Sequence, residues 1–129
     1  MASAVLDASA VIALLRGETG AEVIAAHVGD ALISAVNLQE VVKALLVRGA
    51  SLDVARRMLD ELHLEVRAHD ATAAYAAAAL HEATRRLGSG LGDRSCMALA
   101  IAERLPAITT DREWRDLDIP GLQVTLARG

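Results

Sequence analysis

The stretch that decides how this chain folds is residues 3–15, SAVLDASAVIALL. The apolar run Ser3–Leu6 is typical of a short buried strand, and Ala8–Leu15 follows it with the apolar periodicity of a helix. Asp7 stands at the junction between the two. A strand that leads directly into a helix forms the first half of a crossover unit, which indicates an α/β fold.

The rest of the chain repeats this alternation of strand and helix. We predict further strands at 31–34, 64–66, 106–109 and 122–126. We predict helices at 21–28, 37–48 and 52–62, a long alanine-rich helix from the cap at Asp70 to about Leu87, a flexible loop at 88–92, a helix at 93–104 and a short helical turn at 111–116. Strands separated by helices imply a mostly parallel sheet covered on both faces, which is a three-layer α/β/α sandwich. The length of 129 residues predicts a single domain, 1–129.

Composition and charge exclude several classes of protein. Hydrophobic residues make up 53% of the chain, which argues against disorder. Cys96 is the only cysteine, so an intrachain disulfide cannot form. We find no signal peptide and no apolar run of the roughly 18 residues that a membrane span needs, and we expect a cytoplasmic protein without a membrane. The net charge of −4 does not by itself favour nucleic-acid binding.

Four carboxylates lie where a ligand site is expected. Ligands of open α/β sheets bind outside the carboxyl ends of the strands. Asp7 and Asp111 follow predicted strands, Glu40 follows the strand at 31–34 by one helical turn, and Asp93 opens the helix before the fourth strand. Each also has a purely structural interpretation, because the three aspartates can cap helices and Asn37 with Glu40 fits a capping box.

Taken together, the four positions favour a metal site. Asp93 shares its helix face with Cys96, Met97 and Ala100, so we expect its side chain to point inward. An inward carboxylate needs partners, and crowded carboxylates raise the pKa of one another. A site built from oxygen ligands suits Mg²⁺ or Mn²⁺, which can activate water for attack on a phosphodiester.

Two arginines directly follow candidate ligands. Arg94 comes after Asp93, and Arg112 comes after Asp111. Guanidinium groups suit bidentate contacts with phosphate, which would offset the acidic net charge of the chain. Both arginines could equally be solvated surface residues.

Four segments in order resemble the PIN-domain ribonucleases, and within them the VapC-type toxins of bacterial toxin–antitoxin pairs. The segments are residues 5–15, 37–41, 91–100 and 109–114, with the sequences VLDASAVIALL, NLQEV, LGDRSCMALA and TTDREW. They extend over most of the chain. Each is weak alone, and the four at these separations are specific.

The resemblance implies a fold, an activity and partners. It implies an α/β/α sandwich and Mg²⁺- or Mn²⁺-dependent endoribonuclease cleavage of single-stranded or loop RNA. The positions that match the acidic residues of the family are Asp7, Glu40, Asp93 and Asp111, and Ser9 matches a small hydroxyl residue near the site. The resemblance also implies a homodimer and a cognate antitoxin that occupies the active-site groove.

Two other functions remain as alternatives. A catalytically silent PIN module would bind only its antitoxin or RNA, and the complete acidic set argues against it. A phosphoacceptor receiver domain would need a lysine near the last strand. The only lysine, Lys43, falls inside a predicted helix, which makes the receiver the less favoured of the two.

Overall fold

A parallel sheet sets the edge at which the candidate site lies. In a computed structural model that describes residues 1–88 and 90–128, five strands form one sheet in the order β3-β2-β1-β4-β5. The strands are β1 Ala4–Leu6, β2 Ala31–Ser34, β3 Glu65–Arg67, β4 Ala107–Thr109 and β5 Val124–Leu126. Every neighbouring pair is parallel, with Val5 beside both Leu32 and Ala107. The predicted parallel α/β sheet is therefore confirmed.

Helices connect the strands and cover the sheet. They are α1 Ala8–Arg16, α2 Ala21–Ala25, α3 Ala35–Val47, α4 Leu52–Asp60, α5 Ala71–Ala78 and α6 Leu91–Glu103, with 3₁₀ helices at Glu82–Leu87 and Arg112–Asp116. The longest, α3 and α6, have 13 residues each. Within the described part of the chain, no helix is both long and apolar enough to cross a membrane.

The core has two halves because side chains of a strand alternate between the faces of the sheet. Leu6 and Ile33 point to one face, where they pack with residues of α1, α2, α3 and α4. Val5 and Leu32 point to the opposite face, where they pack with α6 and with Trp114. This arrangement is the predicted three-layer sandwich.

The start of α3 differs from the prediction. The hydroxyl oxygen of Ser34 accepts a hydrogen bond from the Val36 N–H at 3.2 Å, so Ser34 is the N-cap and the helix begins at Ala35. The capping box predicted for Asn37 and Glu40 is therefore wrong. Both residues lie inside the helix, and their side chains are free for another role.

The alanine-rich helix is shorter than predicted. It ends at Ala78, and a 3₁₀ segment follows in which Thr84 leaves helical geometry with φ −116°. The buried Thr84 hydroxyl donates to the Leu80 carbonyl at 2.7 Å. This local bond competes with the regular helical pattern. Apolar periodicity carries no signal of such a bond, so it predicted one long helix.

Several further boundaries move by one to three residues. Helix α2 ends at Ala25 rather than at Val28, and α4 ends at Asp60. Helix α6 begins at Leu91 after Gly90 in the left-handed conformation. The loop predicted at 88–92 is therefore wrong for Leu91 and Gly92, and Ser89 lies outside the described residues.

Candidate acidic site at the carboxyl edge of the sheet

Asp7 lies at the end of the central strand β1 and is 5% exposed. It precedes α1, but its side chain makes no capping hydrogen bond, so the capping interpretation of Asp7 is wrong. Its Oδ2 atom instead accepts hydrogen bonds from Ser9 Oγ at 2.8 Å and from Thr109 Oγ1 at 2.9 Å. The carboxylate is thus held in place by two hydroxyls from the ends of neighbouring elements.

The two hydroxyls also fix the backbone after β4. Each has a single proton to donate, and both protons point to Asp7, so the 3.1 Å between Ser9 Oγ and Thr109 Oγ1 is a contact rather than a further hydrogen bond. As acceptors they bind backbone N–H groups, Ser9 that of Thr110 and Thr109 that of Asp111, each at 3.1 Å. The position of Asp111 is therefore coupled to that of Asp7.

Asp93 lies in the first turn of α6 and is half-buried. The residue at the N-cap is Gly90, so Asp93 does not cap its helix as the structural interpretation required. Cys96, Met97 and Ala100 on the same face are buried, which confirms that this face packs inward. Asp93 stands where that apolar face meets the open edge of the sheet.

The pKa values of Asp7 and Asp93 are raised in part by the charges of neighbouring carboxylates. Burial is the largest cause that raises the pKa of Asp7 to about 6, and the charges of Asp93 and Glu40 add to it, against the lowering by its two hydroxyl donors. Burial likewise raises the pKa of Asp93 to about 6, with the charges of Asp111 and Glu40 adding to it. The four acidic residues that the sequence singled out therefore lie near enough for Glu40 and Asp93 to act on Asp7, and for Glu40 and Asp111 to act on Asp93.

Trp114 supports the charged form of Asp93. Its indole N–H is buried and lies near enough to lower the pKa of that carboxyl. It has no hydrogen-bond partner of standard geometry in the described part of the chain. The indole therefore acts on Asp93 through its dipole and not through a formed hydrogen bond.

Glu40 is exposed on α3 and is oriented by a residue that the sequence interpretation misassigned. The fully buried Asn37 donates from Nδ2 to Glu40 Oε1 at 2.9 Å and to the Gly92 carbonyl at 3.0 Å. Position 92 requires glycine for this arrangement, because a Cβ there would collide with the Glu40 carboxylate. Asn37 and Gly92 thus hold α3, α6 and Glu40 together; the Asn-x-x-Glu spacing was the available signal.

Asp111 is the one candidate for which the capping prediction is confirmed. Its Oδ1 atom accepts a hydrogen bond from the Glu113 N–H at 2.9 Å at the start of the 3₁₀ helix Arg112–Asp116. Its charge nevertheless reaches Asp93 and raises the pKa of that group. Asp111 therefore combines a structural role with a place at the edge of the acidic cluster.

The residues predicted to contact substrate lie around this cluster. Ser9 binds Asp7 directly, as described. Arg94 is half-buried on α6, and its charge lowers the pKa of Asp93. Arg112 is exposed and lines a cavity together with Asp111.

The donor atoms of the cluster fit a hydrated, hard cation. In the described part of the chain, no group of three or more His, Cys, Asp or Glu side chains converges closely enough to enclose an ion. Mg²⁺ commonly uses one or two carboxylates and keeps several waters, so it does not require such an enclosure. Asn37 Oδ1 is in addition a buried acceptor with no hydrogen-bond partner among the described residues. Cys96 is fully buried, and burial raises the pKa of its thiol well above the ordinary value, which keeps the thiol neutral.

Comparison with known proteins is consistent with this geometry. A family model described as PIN domain matches residues 4–120. Comparison with curated protein sequences gives no significant match.

Solved structures share the fold. A toxin–antitoxin complex from Klebsiella pneumoniae contains a chain with 22% identity and a TM-score of 0.72, over 93% of this chain and 95% of that one. A DNA-bound VapBC from Salmonella typhimurium gives 19% identity and a TM-score of 0.72, over 98% and 99%. A VapBC-family toxin–antitoxin structure from Mycobacterium tuberculosis gives 25% identity and a TM-score of 0.62, over 98% and 99%.

Proposed function

The chain belongs to the PIN-domain family, and from this premise we propose that it is a divalent-metal-dependent endoribonuclease that acts as the VapC-type toxin of a toxin–antitoxin pair. The observation that carries the proposal is the pair Asp7 and Asp93 at one edge of the sheet. Asp7 is buried and Asp93 is half-buried, and the pKa of each carboxyl is raised to about 6. A bound cation would offset the repulsion between these carboxylates, and groups with strongly shifted pKa values are concentrated at functional sites.

Each residue of the acidic cluster would have its own role in binding the metal ion. Asp7 and Asp93 would hold Mg²⁺ or Mn²⁺, with Glu40 and Asp111 contributing negative charge around it. Ser9 and Thr109 occupy one oxygen of Asp7, which keeps the carboxylate from rotating. When bound, the ion would activate water and stabilise the charge that develops on a phosphodiester during attack.

The proposed substrate is single-stranded or loop RNA, as the family resemblance implies. Arg94 and Arg112 flank the acidic cluster and could neutralise phosphates on either side of the cleaved bond. Positive groups near the site would offset the net charge of −4, which would otherwise repel RNA.

The proposed protein partner is an antitoxin, and the toxin–antitoxin complexes among the solved structures support it. An apolar cleft of about 700 Å³ lies between α3, α4 and β3. Leu38, Val42 and Leu52 line it, and Leu52 is 57% exposed. An apolar segment of an antitoxin would fit this cleft, and a homodimer remains a prediction from the family.

The experiment that tests the proposal is cleavage of a labelled RNA in Mn²⁺ by the wild type, Asp7→Asn and Asp118→Asn. Asp118 is exposed and lines a different cavity, with Glu82 and Arg85, so its variant controls for the loss of one negative charge. We expect cleavage by the wild type and the Asp118→Asn control, none by Asp7→Asn, and none in EDTA.

The same experiment distinguishes the alternatives. Equal cleavage by the wild type and Asp7→Asn would point to a contaminating nuclease and would overturn the proposal. Binding of RNA or antitoxin without any cleavage would favour the catalytically silent module. A receiver domain would instead accept phosphate from acetyl phosphate, although Lys43 lies in α3 and not near β5.

A further inference from the structure

A second, positively charged cavity adjoins the acidic cluster. It has a volume of about 590 Å³ and is lined by Thr19, Thr110, Asp111, Arg112 and Arg128. These residues come from the loop after α1 and from the segments that follow β4 and β5. The cavity therefore lies at the same carboxyl edge of the sheet as Asp7, on the side of β5.

The walls of this cavity are fixed by backbone contacts. Gly20 has φ +94°, and a Cβ there would collide with the Ala127 carbonyl, so only glycine lets the loop carrying Thr19 lie against the end of β5. The Ala127 N–H donates to the Thr109 carbonyl at 2.9 Å, which sets Arg128 beside Thr110. The Thr110 N–H is in turn held by Ser9.

Among the residues that the structure describes, the two arginines of the cavity have no carboxylate partner. Neither Arg112 nor Arg128 forms an ion pair within residues 1–88 and 90–128, whereas Arg57 and Arg67, for example, pair with acidic neighbours. The single carboxylate in the wall, Asp111, already accepts the Glu113 N–H through Oδ1. Two guanidinium groups against one carboxylate make this the positive end of a site that is otherwise acidic.

The chemistry of this lining selects a phosphate. Guanidinium forks match phosphate oxygens in bidentate geometry, and threonine hydroxyls add single hydrogen bonds. Thr110 is 7% exposed as a whole residue, so its contribution comes from a position that folding has already ordered.

We propose that the cavity binds one phosphate of the RNA backbone next to the phosphodiester that is cleaved, with Arg112 and Arg128 in direct contact with it. The inference rests on the proposed function. Asp111 lines the cavity and its charge also reaches Asp93, so a phosphate held by Arg112 and Arg128 lies directly beside the acidic cluster. A strand anchored at this point runs across the carboxyl ends of β4 and β1.

The test compares the wild type with Arg128→Gln, Arg112→Gln and the double variant. Arg48→Gln is the matched control, because Arg48 is exposed at the far end of α3 and also lacks an ion pair in the described residues. Cleavage kinetics separate kcat from KM, and the affinity for single-stranded RNA is measured over a series of salt concentrations. RNAs with a single neutral methylphosphonate at successive positions locate the phosphate.

We expect the double variant to raise KM at least tenfold with little change in kcat, and to lower the slope of log affinity against log salt by about 0.7, the value for one neutralised phosphate. One methylphosphonate position should weaken binding by the wild type and have no effect on binding by the double variant.

Two results would contradict the inference, and they are distinguishable. If the wild type cuts RNA while the double variant keeps the KM, salt slope and methylphosphonate profile of the Arg48→Gln control, the phosphate site is wrong and the proposed function stands. If the wild type neither binds nor cuts RNA, the proposed function fails and the phosphate site fails with it.

Discussion

Thr109 Oγ1 donates a hydrogen bond to Asp7 Oδ2 at 2.9 Å, although the two residues are 102 positions apart in the chain. The parallel pairing of β1 with β4 makes this contact possible, because Leu6 lies beside Ile108 and the next residues on both strands reach the same edge. The hydroxyl of Thr109 also accepts the Asp111 N–H. One side chain therefore links two of the four acidic residues.

Replacing Thr109 with valine should destabilise the protein. The change preserves shape, removes a donor from a buried carboxylate and leaves the Asp111 N–H without its acceptor, which costs about 1–3 kcal/mol. Urea unfolding at pH 7 measures the free energy of unfolding. Thr109→Ser keeps the hydroxyl and should lose less; equal losses in both variants would mean that packing, and not hydrogen bonding, explains the effect.

The stability of the metal-free protein should fall as the pH rises from 4 to 7. The folded-state pKa of Asp7 is raised from 3.8 to about 6, so its protonated form favours folding, and this contribution is complete below pH 3.8 and lost through pH 6. Because Asp7 is deeply buried, the loss is on the order of 3 kcal/mol at most. Unfolding in EDTA across this range measures it.

The pH effect has a matched control and a metal dependence. Asp7→Asn should remove the contribution of Asp7 and leave that of Asp93, whose pKa is also raised to about 6, whereas Asp118→Asn should keep the full slope. Mg²⁺ should raise the melting temperature of the wild type most at pH 7 and above, where the carboxylates are charged. A wild-type slope no different from that of Asp7→Asn would contradict the raised pKa of Asp7.

Asn37 should act as a positioning residue for Glu40. Asn37→Ala removes the donor to Glu40 Oε1, and we expect kcat to fall about tenfold with KM little changed, which corresponds to roughly 1.4 kcal/mol of transition-state free energy. Asn37→Asp has nearly the same shape, but it places a second negative charge against Glu40 and the Gly92 carbonyl. If Asn37 only filled space, the aspartate variant would be the more active of the two; we expect it to be the less active.

Gly92→Ala should separate activity from stability. Alanine is favoured over glycine by up to about 0.5–1 kcal/mol within a helix, and by less in the first turn of α6 where Gly92 lies, but here its Cβ would displace the Glu40 carboxylate. We expect cleavage to fall at least tenfold. In a Glu40→Ala background the obstacle is gone, so adding Gly92→Ala should raise the free energy of unfolding and leave the remaining activity unchanged. A further loss of activity in that background would show that Gly92 acts independently of Glu40.

The order of elements could be predicted from the sequence because it depends on local periodicity. The strand Ala31–Ser34 and the positions of Asp7, Glu40, Asp93 and Asp111 at one edge follow from alternating apolar runs and the rule for parallel sheets. Helix ends were less predictable, since Ser34 and Asn37 are both good N-caps and only the structure shows which one caps. The break at Thr84 depends on one side-chain hydrogen bond that carries no periodic signal.

Contacts between distant residues could not be predicted from local pattern. The bond between Thr109 and Asp7, and the approach of Gly92 to Glu40, depend on how β4 and α6 pack against β1 and α3. The sequence indicated Ser9 by resemblance, and nothing local indicated Thr109 or Arg128. Long-range packing therefore determines the residues that orient the acidic cluster.

We propose that Asp7 and Asp93 share one divalent cation. Titration of Mn²⁺ into the protein, with the free ion measured by electron paramagnetic resonance, tests this most directly. We expect the wild type and Asp118→Asn to bind Mn²⁺ with the same affinity. Asp7→Asn and Asp93→Asn should each weaken binding at least tenfold, and the double variant should bind no worse than the weaker single variant. Mn²⁺ binding by Asp7→Asn and Asp93→Asn that equals wild-type binding would contradict the claim.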